Sequence, residues 1–472
     1  MADPQDLEIS FCHPIGTRDG TLTKDARMIN CFIEETENGN ALVKRPGTSF
    51  APTAQLVTGI PQGLLMVGNA QWYIINDVVY SVQLPASAIT LTAPTIPHSP
   101  MDTLSNVPLN ASQSWIKSEF DLYSFNGGGA TKVTDTNWVT NAPYVTGFVF
   151  LDGVFYAMTI NGRIIGSALN DATVWPTLDF VQSDYTYGGG AAIHRHLNYV
   201  IGFYAYGTQV YWDANAAPNG QGIALNPVLS SAWTTGCIPN VNPVELSDNT
   251  FFMSQSLQYG RGVHMIQGLS LVKVSTPFID KILNRDNVTA QTPFAFGIKI
   301  SGRENYVLTL PNQGISLVYD LVTQQWSLWS SIVSGTELYF QARFYLNDGA
   351  EDVMQDLVTG RPIIVSPDSF TDVTGNIPVT SYTPPMDWGS LNWKRFGYNY
   401  LLADTISTTV SLSFSDNDYQ TFSNPRTVDL STVRKQMRNC GSSRRRIWKL
   451  THSDNTPLRV FTMKSSTTGL PR

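Results

Sequence analysis

Charge is the scarcest ingredient of this sequence: Asp, Glu, Lys and Arg make up 14% of its 472 residues, against about 25% in ordinary soluble domains. A surface so poor in charge is expected to be covered by neighbouring protein. No apolar run approaches the roughly 20 residues that span a bilayer, and the opening MADPQDLEIS has neither the basic nor the apolar segment of a signal peptide. The expectation is a soluble protein that is not exported by that route. Four cysteines, Cys12, Cys31, Cys237 and Cys440, are scattered without a C-x-x-C pair, which suits buried free thiols in a reducing cell rather than a disulfide framework.

Catalytic signatures are equally scarce. There is no G-x-S-x-G elbow and no evident Cys–His pairing, and the triple glycines at Gly127 to Gly129 and Gly188 to Gly190 lack the Lys-Ser/Thr of a phosphate loop. His194 and His196 flank Arg195 and would share one face of a strand, but no carboxylate or cysteine nearby completes a metal shell. The stretch SDNDYQTF, Ser415 to Phe422, is similar to the aspartate box of sialidase-type propellers, except that Asn417 and Tyr419 stand where aspartate and glycine belong. Glycoside hydrolysis would further require paired carboxylates, so that Asp152, Glu245 or Asp320 would have to converge. No catalytic, metal or cofactor site is therefore expected, and a carbohydrate-binding or carbohydrate-active propeller is kept as the alternative.

What the chain has in abundance is short apolar β-forming runs broken by turn residues. Val145 to Leu169 places two such breaks, Asp152-Gly153 and Asn161-Gly162, between three runs, a pattern that predicts type I′ hairpins. Similar units follow, and from Phe148, Tyr199, Phe251 and Tyr306 the steps are 51, 52 and 55 residues. An earlier relative turns at Asn69 and Asn76-Asp77, and a later one lies in Leu338 to Val365. Segments of three or four strands recurring at about 50 residues predict β-propeller blades, about six or seven of them. VYDLVTQQWSLW is similar to a kelch-type blade edge. One helix is expected in STPFIDKILNRD, capped by Ser275 or Thr276. The Pro- and Asn-rich stretches Leu91 to Ser112 and Ala214 to Trp233 read as contact loops.

Pro378, Pro384 and Pro385 mark a boundary, beyond which alternating runs predict a small β-sandwich. The expected division is an N-terminal arm with first strands at 1–50, a propeller at 51–377 and a basic sandwich-like domain at 378–472. From Ser431 to Arg472 there are ten Lys or Arg against Asp454 alone, a net of +9 that leaves −16 on the rest of a chain whose net is −7. Within this end, NCGSSRRRIWKL sets Arg444, Arg445, Arg446, Trp448 and Lys449 together. On an alternating strand Arg444, Arg446 and Trp448 would share one face, and Arg445, Ile447 and Lys449 the other. Three readings follow: a solvated edge strand protected by charge, contact with DNA phosphates, or a subunit or adaptor interface anchored by Arg and Trp. The interface is preferred because a basic end facing an acidic body favours contact between copies.

Taken in order, NCFIEETENGNALVKRPGTSF with Lys44-Arg45-Pro46-Gly47, then YVIGFYAYGTQVYWDA, GVHMIQGLSLVKVSTPFIDKIL, SLSFSDNDYQTF and RRRIWKL resemble the packaged-DNA stabilisation, or tail hub, proteins of short-tailed bacteriophages. The similarity runs from about Asn30 to about Met463, with Asn417-Asp418 in place of the expected aspartate-glycine turn. The resemblance implies a non-enzymatic all-β virion tail component, made in the host cytoplasm. It implies a hexameric ring below the portal and adaptor that extends the DNA channel without sequence-specific DNA binding, helps retain the genome, and attaches tailspikes or fibres and a plug or needle.

Overall fold

The computed structural model describes residues 5–16, 24–37, 39–51, 57–67, 70–81, 102–104, 114–117, 121–125, 130–183, 188–214, 223–300, 302–347 and 351–469. The two predicted hairpin breaks of residues 145–169 differ in their turns. Asp152 and Gly153 both take positive φ, 49° and 87°, as a two-residue type I′ turn requires. At the second break only Gly162 does so, because Gly162 N donates to Thr159 O and the turn is wider. Asn76 and Asp77, at 49° and 66°, form the expected type I′ turn.

The strands so formed are buried on both faces. On Val154–Thr159, Phe155 and Ala157 enter one apolar cluster while Tyr156 and Met158 enter the next. Phe251 and Phe252 divide in the same way. This is why the sequence shows continuous apolar runs instead of alternation. Six sheets of four or more strands, at 102–132, 145–182, 190–233, 236–273, 294–333 and 342–366, follow one another around a ring. A three-stranded sheet at 61–81 fills the space between the last and the first. Each face between neighbours holds its own cluster, from Leu65, Trp72 and Ile116 round to Tyr73, Leu346 and Val353. The result is a six-bladed β-propeller arrangement with an additional sheet in the ring.

Several expectations are corrected in detail. Phe148 lies on the innermost strand of its blade, whereas Tyr199, Phe251 and Tyr306 lie on second strands, so the first 51-residue step joined unlike positions. Part of the expected loop at Ala214 to Trp233 is a strand, Leu225–Trp233, that pairs along Thr208–Asp213. Its Pro227 is tolerated because this is an edge strand. Of Leu91 to Ser112, only Asp102–Leu104 is described, and it is a strand; the rest lies outside the described residues. The helix is Pro277–Arg285: Thr276 caps Ile279 N, and Phe278, Ile279, Ile282 and Leu283 are buried against the 236–273 and 294–333 blades.

Beyond the ring two sheets pack face to face. One is formed by Gln5–Ile9, Cys31–Thr36, Gly39–Lys44, Lys394–Ala403, Gln436–Arg438, Ser442–Ser443 and Arg459–Gly469. The other runs through Arg27–Ile29, Val379–Tyr382, Ile447–His452, Thr409–Ser415 and Arg426–Asp429. Between them lie Ile33, Leu42, Phe396, Leu412, Trp448, Leu450 and Met463. The second sheet is continuous with the 294–333 blade, because Ile29 pairs in parallel with Leu328. Residues at both ends of the chain thus share this unit.

The ring closes where Gly47–Phe50 adds the outermost strand to the 342–366 blade. Gly47 is obligatory there, since a Cβ would sit 2.1 Å from Thr371 O. Two residues earlier, buried Arg45 makes a bidentate pair with Asp372 at 2.9 and 2.6 Å and donates to Asn30 Oδ1, Pro46 O and Ser330 O. Its guanidinium lies 4.8 Å from the Phe340 ring centre. Asp372 also accepts from Thr48 and Ser331, and Lys44 reaches Asp454 O on the sandwich side at 2.6 Å. Removing one member of such a pair strands the other in the interior. Arg45→Ala is expected to lower the unfolding free energy by about 3–5 kcal/mol in chemical denaturation; a loss under ~1 kcal/mol would show that the pair does not hold the junction.

Candidate functional site

The arginine tract and the SDNDYQTF stretch meet in the sandwich. Thr409–Ser415 pairs with Ile447–His452, with Phe414 opposite Trp448 and Ser415 opposite Ile447, so the residues just outside each strand face one another. Arg446 is 1% exposed. Its Nε and Nη2 donate to Asp416 at 2.7 and 2.8 Å, and its guanidinium lies 3.9 Å from the Phe414 ring centre and 4.2 Å from that of Phe396. Its backbone exchanges two 3.0 Å hydrogen bonds with Met386.

The loop that supplies Asp416 is held by its own side chains. Asn417 Oδ1 accepts from Ser415 Oγ and Thr421 N, and Asn417 Nδ2 donates to Thr421 Oγ1. Tyr419 donates from its hydroxyl to Thr383 O at 2.7 Å. Asp418 and Tyr419 both have φ of 65°. Asparagine and aspartate tolerate that region better than most residues, which accounts for Asp418, while Tyr419 is held there by its hydroxyl bond and by the bond its backbone N donates to Ser415 Oγ. The departures from an aspartate box are therefore parts of a clamp on Arg446.

The five residues singled out in the tract separate by depth. Trp448 is fully buried in the sandwich core and Arg446 is enclosed beside it; neither presents a side chain for a partner to touch. The regular strand begins only at Ile447, which is buried as well, so simple alternation does not extend over the arginines. Arg444 and Arg445 are exposed, Arg444 lying 5.5 Å from the Trp393 ring centre and Arg445 3.5 Å from Asp418. Lys449 is half-buried over Tyr382 and Phe422.

Other sequence candidates are committed elsewhere. His196 bonds Thr250 Oγ1 and Gly268 O, and His194 is half-buried with its Nε2 enclosed and unpartnered. Among the described residues no group of three or more His, Cys, Asp or Glu is arranged to hold a metal. Asp152 lies in a turn of the 145–182 blade, Glu245 and Asp320 stand on two other sheets, and Asp320 is tied to Arg303 at 2.8 Å.

One pair escaped sequence reasoning. Ser254 and His264 Nδ1 are 2.6 Å apart, in a cleft of about 300 Å³ lined also by Thr235, Tyr259 and Lys273. The two residues occupy diagonal positions across a hairpin, so only the strand register brings them together. Burial, and then the Lys273 charge, push the His264 imidazole down to about 4. A base that weak is poorly matched to taking a serine proton at neutral pH.

Two expectations follow from these environments. Arg446→Ala leaves Asp416 without its partner and opens a cavity among Phe396, Phe414 and Trp448, so its melting midpoint should fall by several degrees. Arg444→Glu with Arg445→Glu should melt like the parent; equal losses in the two variants would contradict the division by depth. Burial also holds His194, and His452 beside Lys44, down at about 4, as for His264. An unfolded chain takes up these protons near pH 6.5, while the folded one refuses them until about 4. Stability should therefore fall as pH drops from 6.5 to 4. His194→Leu should flatten that slope in denaturation midpoints measured across the interval; an unchanged slope would refute the assignment.

A profile of the family described as "Bacteriophage P22 Gp10, beta-propeller" matches residues 41–362. No curated protein matches the chain. Among solved structures, the N-terminal domain of Nup159 aligns at 10% identity and a TM-score of 0.39, covering 72% of this chain and 98% of its own. The computationally designed Ika8 protein aligns at 9% and 0.38, covering 70% and 96%. The extracellular domain of the putative hybrid two component system BT3049 from B. thetaiotaomicron aligns at 10% and 0.41, covering 82% and 48%. The family match begins within the strand that leads to Arg45 and ends at the strand onto which Gly47–Phe50 closes the ring, and on it the chain belongs to the phage-stabilisation family of Bacteriophage P22 Gp10, a family of β-propeller proteins.

Proposed function

We propose that this phage-stabilisation protein works by assembly and not by catalysis. Copies form a ring, six-fold by family resemblance, that docks below the portal and adaptor of a short-tailed virion. The ring extends the DNA channel, helps retain the packaged genome and offers attachment for tailspikes or fibres and a plug. The observation that carries this reading is the family match over residues 41–362, which reaches every blade.

Physical features support it. The faces between blades are filled by aromatic and aliphatic side chains, which suits a rigid load-bearing body. The charge division, +9 on the last 42 residues against −16 elsewhere, suits contact between copies or with an adaptor, and Arg444, Arg445 and Lys449 are the members of the tract that reach the surface for it. An acidic body also repels DNA and favours its passage over adhesion. The sandwich, built from strands at 5–9, 27–44 and 379–469 among the described residues, would be the part that meets neighbours.

Mixing the purified chain with the portal and adaptor proteins of the same phage should give a ring-shaped complex by sedimentation and negative-stain imaging, with weak affinity for duplex DNA at physiological salt. Absence of association in that mixture, or glycan-dependent binding by a monomer, would overturn the reading.

A further inference from the structure

The exposed face of the strand Lys394–Ala403 has a composition that neither the propeller nor the sandwich core explains. Its inward residues are accounted for: Phe396 and Leu401 lie in the core, and Asn399 donates to Met437 O and accepts from Ser465 Oγ. The outward residues Tyr398, Tyr400 and Leu402 remain 46%, 43% and 42% exposed. On an antiparallel sheet with one solvated face, those positions are ordinarily polar. The two tyrosine rings lie 6.3 Å apart and within 14° of parallel, and the Arg438 guanidinium sits 5.2 Å from the Tyr398 ring centre.

The surroundings extend the same character. Tyr398 is flanked across the sheet by Arg438 and Ser466, and Tyr400 by Gln436 and Lys464. Acids stand one strand further out, where Asp6 is opposite Ser466 and Glu8 is opposite Lys464. Toward the start of the strand Leu391 and Trp393 are exposed, and Arg444 covers Trp393. The accessible end of the arginine tract thereby joins this stripe. Tyr, Trp, Leu and Arg together, with little Glu or Asp, is the composition of an interface centre. The strand is internal to its sheet, paired on both edges, so a partner would meet side chains and could not add a strand.

Resting on the ring reading above, we propose that the Tyr398–Tyr400–Leu402 stripe with Arg438 and Lys464 is the surface through which one copy of this chain binds the next. Its occupant is the acidic propeller of the neighbouring copy. Charge complementarity selects that occupant: Arg438 and Lys464, which flank the tyrosines, belong to the cation-rich end at 431–472, and the remainder of the same chain carries −16. The aromatic and leucine side chains supply the apolar contact, while the arginine and lysine set orientation and make the contact sensitive to salt.

The test is sedimentation of the full chain over a range of concentrations at low and high salt, comparing the parent with Tyr398→Ser/Tyr400→Ser/Leu402→Ser and with Arg438→Glu alone. The parent should self-associate, more weakly at high salt. The triple variant should remain near the 52.1 kDa monomer mass where the parent is assembled, with an apparent dissociation constant at least tenfold larger and circular dichroism unchanged. Arg438→Glu should weaken association in the same direction, which keeps the proposal open to refutation should the triple variant misfold. Variants that assemble like the parent would overturn this surface and leave the ring reading standing. A parent that stays monomeric alone and with adaptor would overturn both. Single-stranded oligonucleotide bound by the parent and lost in the triple variant, with self-association unaffected, would assign the tyrosines to base stacking and overturn the proposal.

Discussion

The buried pair of Arg45 and Asp372 is the constraint on which the architecture turns. A propeller has to be closed by joining distant parts of its chain, and here Gly47–Phe50 is laid on the strand Pro362–Ser366. The same few residues must also lead back into a sandwich that contains Cys31–Thr36 and Gly39–Lys44. Arg45 satisfies both demands, since its five donors reach the N-terminal segment, the 294–333 blade and the connection that bears Asp372. A lysine could not make this fork of contacts, because bidentate pairing needs a planar guanidinium. Lys44, one residue earlier, is turned the other way, and burial followed by the charge of Arg45 pushes its amine down to about 8.

A second buried arginine repeats the device within the sandwich. Arg446 holds the Ser415–Thr421 loop through Asp416, in a box of Phe396, Phe414 and Trp448. The most conspicuous charged stretch of the chain thus divides between interior and surface. What it gives to the outside is Arg444, Arg445 and part of Lys449. The interior arginines stiffen two junctions, which suits the assembly role proposed for the chain.

Much of the fold was legible in the chain. The turn dipeptides Asp152-Gly153 and Asn76-Asp77, the apolar runs near every 50 residues and the cap at Thr276 all report local geometry, and local geometry is encoded locally. The strand Leu225–Trp233 was not legible, because an edge strand with polar outward residues and a proline has the composition of a loop. The depth of Arg446 was hidden for a different reason. Its carboxylate partner lies 30 positions earlier, and no periodicity within the tract marks one arginine of three as interior. Ser254 and His264 were missed because their meeting depends on the register of a hairpin.

By itself the sequence determined the class of the protein: an all-β chain of repeated blades, poor in charge, with a basic end, a proline-marked boundary and motifs in the order of a phage-stabilisation protein. Those properties follow from residue type and short-range spacing. Only the tertiary structure decided that Gln5–Ile9, Arg27–Ile29, Cys31–Thr36 and Gly39–Lys44 complete the C-terminal sandwich, that Arg45 and Asp372 close the ring, and that Arg446 and Trp448 are interior while Tyr398, Tyr400 and Leu402 face outward. Burial is a property of what packs on a residue from far away in the chain. One run of three arginines can therefore supply a buried clamp, Arg446, and two surface charges, Arg444 and Arg445.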